Sequence, residues 1–215
     1  MAKKRNLSPE RLPKTLYKGA CVGLQEYLYF RHLKGLIRNE TQRIQDIDFD
    51  FINVKGGSSH EVAKRADRAS VGEFEKIAVF DYDGKHIEFI NALDLCKEKK
   101  IIAGYSNYSF DLWLLLHKQC YTKVVLASDD YAADTKTTFN LAPEADIKSE
   151  LVIAQLLNQI TLADVKTAIA HAVQIVAINH RAIPPYRTNR SAVFFDNPDI
   201  ALHVFIDEVL KHAGV

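Results

Sequence analysis

The strongest constraint on the fold is an alternation of short apolar segments with segments of helical periodicity. Leu16 to Val22 is a short apolar run that ends at a glycine, and the fourteen residues from Leu24 (LQEYLYFRHLKGLI) repeat apolar side chains at helical spacing. The pattern returns at Asp46 to Val54, where polar and apolar residues alternate with the period of a half-exposed strand. Strands that alternate with helices in this way form a parallel sheet with helices on its faces.

Two further strand and helix pairs follow. Lys76 to Phe80 and Ile101 to Gly104 are short apolar runs typical of buried strands, and His86 to Lys97 has the spacing of an amphipathic helix. Ser109 to His117 is apolar nearly all round, which predicts a helix buried on most sides. We therefore predict an α/β fold whose Rossmann-like, parallel-sheet core is sandwiched by helices and spans residues 15–125.

Three segments flank this core. Residues 1–14 are polar and basic and contain two prolines, which predicts a flexible arm. Residues 126–150 are polar and acidic, and we expect a loop or insertion with a short strand before it. Residues 151–215 are expected to form C-terminal helices packed on the core, with residues 193–195 as a short strand or a packed loop.

Sequence signals also predict where several helices begin or end. A serine or threonine followed by an acidic residue three positions later indicates a helix N-terminus, Asn-Pro favours a helix start, and a late glycine favours a helix end. These signals stand at Ser58 with Glu61, Thr161 with Asp164, Asn197-Pro198 and Gly214.

The charges nearly cancel, because 28 Lys and Arg face 27 Asp and Glu. This balance excludes a uniformly cationic nucleic-acid binder, but residues 1–25 and 165–195 form two basic segments that could approach a phosphate backbone. No apolar run follows the basic N-terminus, and no segment reaches the roughly 20 apolar residues that cross a bilayer. We therefore expect a cytoplasmic protein with no membrane partner.

Polar residues follow the predicted strands at their carboxyl ends, where ligands bind in open parallel sheets. Asp81 and Asp83 leave the third strand together and are the strongest candidates, since two carboxylates can share a divalent ion such as Mg²⁺. Glu26 follows the first strand and could complete the site. Ser106 and Asn107 follow the fourth.

Each candidate also has a purely structural interpretation. Asp81-x-Asp83 before a glycine is a common turn, Glu26 on a helical turn is commonly solvated, and Ser106 with Asn107 is typical of a turn or cap. His117 ends an apolar helix, where a packed histidine is the ordinary case. The aspartate pair also resembles the nucleophile motif of dehalogenase-type phosphatases. Only about fifty residues separate Asp81 from Asp134, however, which leaves little room for the extra strand and helix units that this fold places between its first and last motifs.

A longer string carries a more specific resemblance. Tyr105 to His117 (YSNYSFDLWLLLH) is similar to the Ser-Asn-Pro-x-Phe-Glu-Leu-Trp segment of RloB-like proteins from bacterial phage-defence and abortive-infection loci, whose core looks like the Toprim fold of topoisomerases and primases. Cys21-x-Gly23 with Glu26 is similar to the first-strand motif of that family, and Val79 to Asp83 looks like its aspartate pair.

The resemblance implies a Toprim-type nuclease that hydrolyses nucleic-acid phosphodiesters with Mg²⁺ or Mn²⁺. It implies catalytic and metal-binding roles for Glu26, Asp81 and Asp83, a DNA or RNA substrate such as tRNA, and an ATPase partner. Supporting or substrate-binding candidates are Ser106, Asn107, Asp111, His117, Lys123 and Lys136.

The chain also departs from the family pattern. Val22 occupies the position where a Toprim site typically has a glutamate, Tyr108 replaces a proline, and Asp111 replaces a glutamate. If the missing glutamate is essential, the chain binds metal without cutting. A catalytically silent regulatory or binding subunit of the ATPase complex is therefore the alternative function.

Overall fold

The computed structural model describes residues 15–40, 47–69, 75–182 and 197–215. The basic arm predicted at 1–14 lies outside these ranges. The apolar segment at 193–195 lies outside them too, so its interpretation as a strand or packed loop stays a prediction.

Four parallel strands form one sheet in the described part of the chain. They follow the spatial order β2-β1-β3-β4, and each neighbouring pair is parallel. The predicted α/β fold with a Rossmann-like parallel sheet is therefore confirmed. The strands are β1 (Thr15–Cys21), β2 (Ile47–Asn53), β3 (Glu75–Tyr82) and β4 (Ile101–Asn107).

Eight helices accompany the sheet within the described ranges. They are α1 (Leu24–Glu40), α2 (Ser59–Ala69), α3 (His86–Lys99), α4 (Asp111–Leu116), α5 (Ser128–Thr138), α6 (Glu150–Leu157), α7 (Leu162–Ala182) and α8 (Leu202–Ala213). Among these eight, no single helix is both long and apolar enough to cross a bilayer. α6 and α7 meet that requirement only when taken together, and they are bent by 91° at the break between them.

Alternate residues of the strands pack into two separate cores. On β3, Ala78 and Phe80 face α2 and α3, whereas Ile77 and Val79 face the larger core that includes residues of α1, α4, α6, α7 and α8. Because side chains alternate between the two faces of a strand, Asp81 follows Val79 onto the face that carries α1 and α4.

Three of the predicted helix boundaries are confirmed by their hydrogen bonds. The backbone N–H of Glu61 donates to the Ser58 hydroxyl at 3.3 Å. Thr161 and Asp164 form a reciprocal pair at the start of α7, with bonds of 2.8 and 3.2 Å from backbone to side chain. Gly214 ends α8 in the left-handed conformation, with φ of 70°.

The prediction of a loop or insertion over 126–150 is wrong for the part that forms α5. The Asp130 carboxylate accepts hydrogen bonds from the two backbone N–H groups that precede this helix, at 3.0 and 3.4 Å. Tyr131 and Thr135 lie one helical turn apart and are fully buried. This polar segment therefore contains a helix with a narrow buried face. The short strand that we expected before it is not formed by the described residues that precede α5.

The chain around Asn197-Pro198 also differs from the prediction of a helix start. The Asn197 side chain binds the backbone of Val125, and Ile200 pairs with Ser106 beside β4 in an antiparallel bridge. These contacts hold the segment, which bends at residues 197–198, against β4, so α8 begins only at Leu202.

Candidate active site

A cleft of about 310 Å³ opens at the carboxyl ends of β1 and β3. From β1 the chain moves outward to β2 and then returns across β1 to β3, with α1 and α2 on opposite faces of the sheet. Strand connections that diverge in this way create a crevice, which is where ligands bind in such folds. The lining includes Val22, Gly23, Gln25, Glu26, Asp81, Asp83, Tyr108, Ser109, Ser128 and Lys148.

Glu26 lies in the first turn of α1 and is 4% exposed. Its carboxylate accepts hydrogen bonds from its own backbone N–H and from that of Gly23, as an N-terminal helix cap does. A side chain at Gly23 would meet this carboxylate, because an added Cβ would lie 3.0 Å from Glu26 Oε2. Burial raises the pKa of Glu26 to about 7, and the nearby charge of Asp111 acts in the same direction. Glu26 can therefore exchange a proton near neutral pH.

Asp81 is the last but one residue of β3 and lies opposite Ser106 of β4 in the sheet register. The Ser106 hydroxyl donates a 2.7 Å hydrogen bond to Asp81 Oδ1. Burial raises the pKa of Asp81 well above its ordinary value, the charge of Glu26 raises it further, and the bond from Ser106 opposes both. Asp81 and Glu26 therefore lie near enough to interact.

Asp111 supplies a third acidic group from the first turn of α4, and it is 1% exposed. Gln25 donates to Asp111 Oδ1 at 2.9 Å, and the Ser109 hydroxyl donates to Asp111 Oδ2 at 2.8 Å. Burial raises the pKa of Asp111, and these two bonds partly offset that effect. Asp111 thus links the turn after β4 to the start of α1, next to Glu26.

Asp83 lies at the rim of the cleft and is exposed. Partial burial raises its pKa, while the positive charges of Lys85 and Lys148 lower it. The two aspartates of the predicted pair are therefore in different environments, with Asp81 inside the cleft and Asp83 at its mouth.

Lys148 is a site residue that the sequence did not indicate. It lines the cleft, and its charge lowers the pKa values of Glu26, Asp83 and Asp111. It lies just before α6, in a segment whose composition predicted only a polar loop, and no periodic pattern connects it with β1 or β3. The proximity arises from the tertiary fold.

Lys123 and Lys136 lie elsewhere. Lys123 pairs with Asp134 at 3.0 Å, on a surface away from the cleft. Lys136 donates to the backbone oxygen of Pro143 at 2.7 Å and lines a neighbouring groove that shares Lys148 with the cleft.

Asn107 and His117 are both buried and do not line the cleft. The backbone N–H of Asn107 donates to Asp199, which holds the segment before α8 against β4. His117 Nδ1 lies 2.9 Å from the Trp113 carbonyl oxygen and therefore donates to it, so Nε2 accepts from the Tyr29 hydroxyl at 3.1 Å. Burial lowers the pKa of His117 to about 4, which keeps the ring neutral at physiological pH.

The cleft matches a hard divalent cation in donor chemistry and charge. Its acidic groups are carboxylates, which Mg²⁺ and Mn²⁺ prefer. The negative charge of Glu26 raises the pKa of Asp81, because the two carboxylates repel each other when both are ionised. A cation would offset this repulsion. Within the four described ranges, no group of three or more His, Cys, Asp or Glu side chains is arranged to hold a metal ion.

Comparison with known families gives one match. A family model described as RloB-like protein matches residues 21–195, which include Glu26, Asp81, Asp83, Asp111 and Lys148. No curated protein matches the chain. No solved structure matches it either.

Proposed function

The chain belongs to the RloB-like protein family, and from this membership and the carboxylate cleft we propose that it is a metal-dependent nuclease. The observation that carries the proposal is the meeting of Glu26, Asp81 and Asp111 from three separate elements at the crevice of the sheet. Acids with raised pKa values in a cleft are typical of functional sites, because burying neighbouring acids costs folding free energy and such an arrangement is retained where a ligand uses it.

Hydrolysis of a phosphodiester requires an attacking water and a proton for the leaving oxygen. The water oxygen bonds to phosphorus and gives up a proton, one ester P–O bond breaks, and the departing oxygen takes a proton. Glu26 is our candidate for the proton transfer, because its pKa of about 7 allows it to hold or release a proton near neutral pH.

We propose Asp81 and Asp83, with Glu26, as the metal ligands. Because no three such side chains in the described ranges are arranged around one point, the ion would have to draw them together. Bound Mg²⁺ or Mn²⁺ would supply a Lewis acid that offsets the charge developing on the phosphate. Ser106 keeps one oxygen of Asp81 oriented through its 2.7 Å hydrogen bond. Lys148 would bind a non-bridging phosphate oxygen at the mouth of the cleft, the role that sequence analysis had considered for Lys123 and Lys136.

The biological setting is proposed from the family resemblance. It comprises a Toprim-like core, phage defence by abortive infection, an ATPase partner, DNA or RNA such as tRNA as substrate, and the cytoplasm as compartment. The four-stranded order β2-β1-β3-β4 and the acids after β1 and β3 are compatible with this core.

A catalytically silent subunit of the ATPase complex is the second candidate function. Val22 stands where a Toprim site typically has a glutamate, and it lines the cleft as an apolar side chain. The hydrogen bonds of Glu26 to the start of α1 also give that residue a structural role as a helix cap. We do not carry the phosphatase alternative forward, because β4 is the only strand after Asp81 in the described residues.

A cleavage assay separates these functions. The full chain is incubated with DNA and with tRNA in Mg²⁺ or Mn²⁺, with and without the proposed ATPase partner. Cleavage that is lost in Asp81→Asn and in Asp83→Asn supports the nuclease. Asp207→Asn is the matched control, because Asp207 pairs with Lys211 on α8 outside the cleft.

Two outcomes count against the nuclease. Undiminished cleavage by both cleft variants would exclude these aspartates from the reaction. No cleavage by the wild-type chain with its partner present would favour the silent subunit.

A further inference from the structure

A second cleft, of about 350 Å³, lies between α1 and the edge strand β2. Three cationic side chains and four aromatic rings share its lining, with one exposed acid. The lining residues are Tyr27, Phe30, Arg31, Lys34, Gly35, Arg38, Phe49, Asp50 and Phe51.

This cleft shares no described lining residue with the active-site cleft, but both lie along α1. Leu24 lines the active-site cleft, and Tyr27, Arg31, Lys34 and Arg38 follow it at spacings of three and four residues, which place them on one face of the helix. The stripe covers four helical turns, a length of about 21 Å. We call this face, from Leu24 to Arg38, the α1 track.

The cations of the α1 track are directed to the cleft and to solvent. Arg31 is exposed, and the Arg38 side chain is 51% exposed. Lys34 is held in place by an ion pair with Asp48 and by a 3.2 Å bond to the Phe49 carbonyl oxygen. Arg38 lies 3.9 Å from the same Asp48 carboxylate, so one acid serves two cations.

Aromatic groups accompany these cations. The Arg31 guanidinium lies over the ring of half-buried Tyr27, 5.9 Å from its centre. Gly35 leaves the middle of the track open, because a Cβ added there would meet nothing within 4 Å. The three phenylalanine rings of the lining are buried in the core, so Tyr27 is the ring that can stack on a base. A cationic groove with an accessible aromatic ring is the general arrangement that binds single-stranded nucleic acid.

We propose that the α1 track binds a single-stranded segment of the nucleic acid whose phosphodiester lies in the active-site cleft. Arg31 and Arg38 contact backbone phosphates, and Tyr27 stacks on a base. The substrate class rests on the proposed function. One face of α1 leads from this cleft to the active-site cleft that we propose for a phosphodiester, and this favours nucleic acid over an acidic peptide as the occupant.

Binding of fluorescein-labelled single-stranded RNA and DNA, measured by fluorescence anisotropy in EDTA, tests the track without any cleavage. The Arg31→Ala/Arg38→Ala variant should bind roughly tenfold more weakly than wild type, and the slope of log affinity against log salt should fall by about 1.4, for two lost phosphate contacts. The matched control is Arg65→Ala/Arg68→Ala, which removes two exposed arginines from α2 on the opposite face of the sheet. It should bind like wild type.

Three outcomes would overturn the proposal. In the first, the wild-type protein binds neither oligonucleotide. In the second, the track variant has the affinity and salt slope of wild type, and in the third, the track and control variants lose affinity equally. A track variant that binds RNA normally but no longer co-purifies with the ATPase would assign this surface to that protein. The anisotropy measurement requires neither metal nor turnover, so its outcome is independent of the cleavage assay. Loss of cleavage in the Asp81 variant does not affect nucleic-acid binding by the α1 track, and failure of the track to bind does not affect the cleavage result.

Discussion

The Ser106 hydroxyl donates a 2.7 Å hydrogen bond to the Asp81 carboxylate across the neighbouring strands β4 and β3. This bond favours the ionised carboxylate and opposes the burial that raises the pKa of Asp81. Register and alternation place both side chains on the same face of the sheet. The bond therefore orients the carboxylate that we propose as a metal ligand and partly offsets the effect of burial on its pKa.

Replacing Ser106 with alanine should move the activity profile to higher pH. A hydrogen bond to a charged group contributes about 1.5 to 3 kcal/mol, so its loss should raise the pKa of Asp81 by about one unit or more. The measurement is the pH dependence of cleavage at fixed Mg²⁺. Ser59→Ala is the matched control, because the Ser59 hydroxyl donates to the backbone oxygen of Asp81 and not to its carboxylate. Equal profiles for the two variants would contradict the assigned role of Ser106.

Glu26 should make the protein less stable as the pH rises. Its folded pKa of about 7 lies above the ordinary 4.5, so the folded state binds more protons than the unfolded state between these values. The free energy of unfolding should therefore fall from about pH 4.5 to about pH 7, by on the order of 3 kcal/mol from this group alone.

Chemical denaturation of Glu26→Gln over this pH range checks the effect. The variant should lose much of the pH dependence and be more stable than wild type at about pH 8, because a neutral amide replaces a buried charge. Glu98→Gln, on the exposed end of α3, should keep the wild-type dependence. A Glu26→Gln curve parallel to that of wild type would show that Glu26 is not buried as the structure indicates.

Lys148 should affect both the rate and the pH profile. Lys148→Ala removes the charge that lowers the pKa of Glu26, so the profile should move to higher pH, and loss of the phosphate contact should reduce kcat/KM by about a hundredfold. Lys148→Arg should retain most of the activity at the wild-type pH optimum. Lys136→Ala is the control, since Lys136 binds the Pro143 carbonyl oxygen in the neighbouring groove. Similar kinetics for Lys148→Ala and Lys136→Ala would remove Lys148 from the site.

Tyr108 adopts a backbone conformation that proline cannot adopt. Its φ is 56°, and its backbone N–H donates to the Tyr82 carbonyl oxygen at 2.9 Å. Proline has no N–H, and its ring fixes φ near −65°. Tyr108→Pro should therefore destabilise the protein by about 3 kcal/mol or more in chemical denaturation.

Tyr108→Gly is the informative comparison for that change. Glycine adopts a positive φ without strain, and this offsets the loss of the ring contact between Tyr108 and Tyr82. The glycine variant should therefore be much closer to wild type than the proline variant. A proline variant as stable as wild type would mean that the turn at residue 108 can rearrange to accommodate proline.

The core of the fold could be predicted because its elements have strong local patterns. β1 and β3 are short apolar runs, and α1 and α3 repeat apolar side chains at helical spacing. α5 was missed because only Tyr131, Thr135 and a few neighbours of a polar segment are buried, and a narrow apolar face does not stand out from the acids around it. The delayed start of α8 was missed because Asn197 and Ile200 make tertiary contacts that override a local start signal.

The distinction between local sequence patterns and tertiary contacts also applies to the candidate active site. Glu26 and Asp81 could be identified because both lie at the carboxyl ends of strands of a parallel sheet, and topology alone brings such positions together. Asp111 could be named only from the resemblance of its segment, and its contact with Gln25 depends on how α4 packs near α1. Lys148 had no signal, since it reaches the cleft from a segment between two helices.

Binding of Mn²⁺ to the full-length wild-type chain, measured by titration calorimetry, tests most directly whether the carboxylate cleft is a metal site. We predict saturable binding that weakens as the pH falls through about 7, because protons compete with Mn²⁺ for Glu26 and Asp81. This binding should be lost in Asp81→Asn and kept in Asp207→Asn. Absence of binding by wild type, or unchanged binding by Asp81→Asn, would contradict the account.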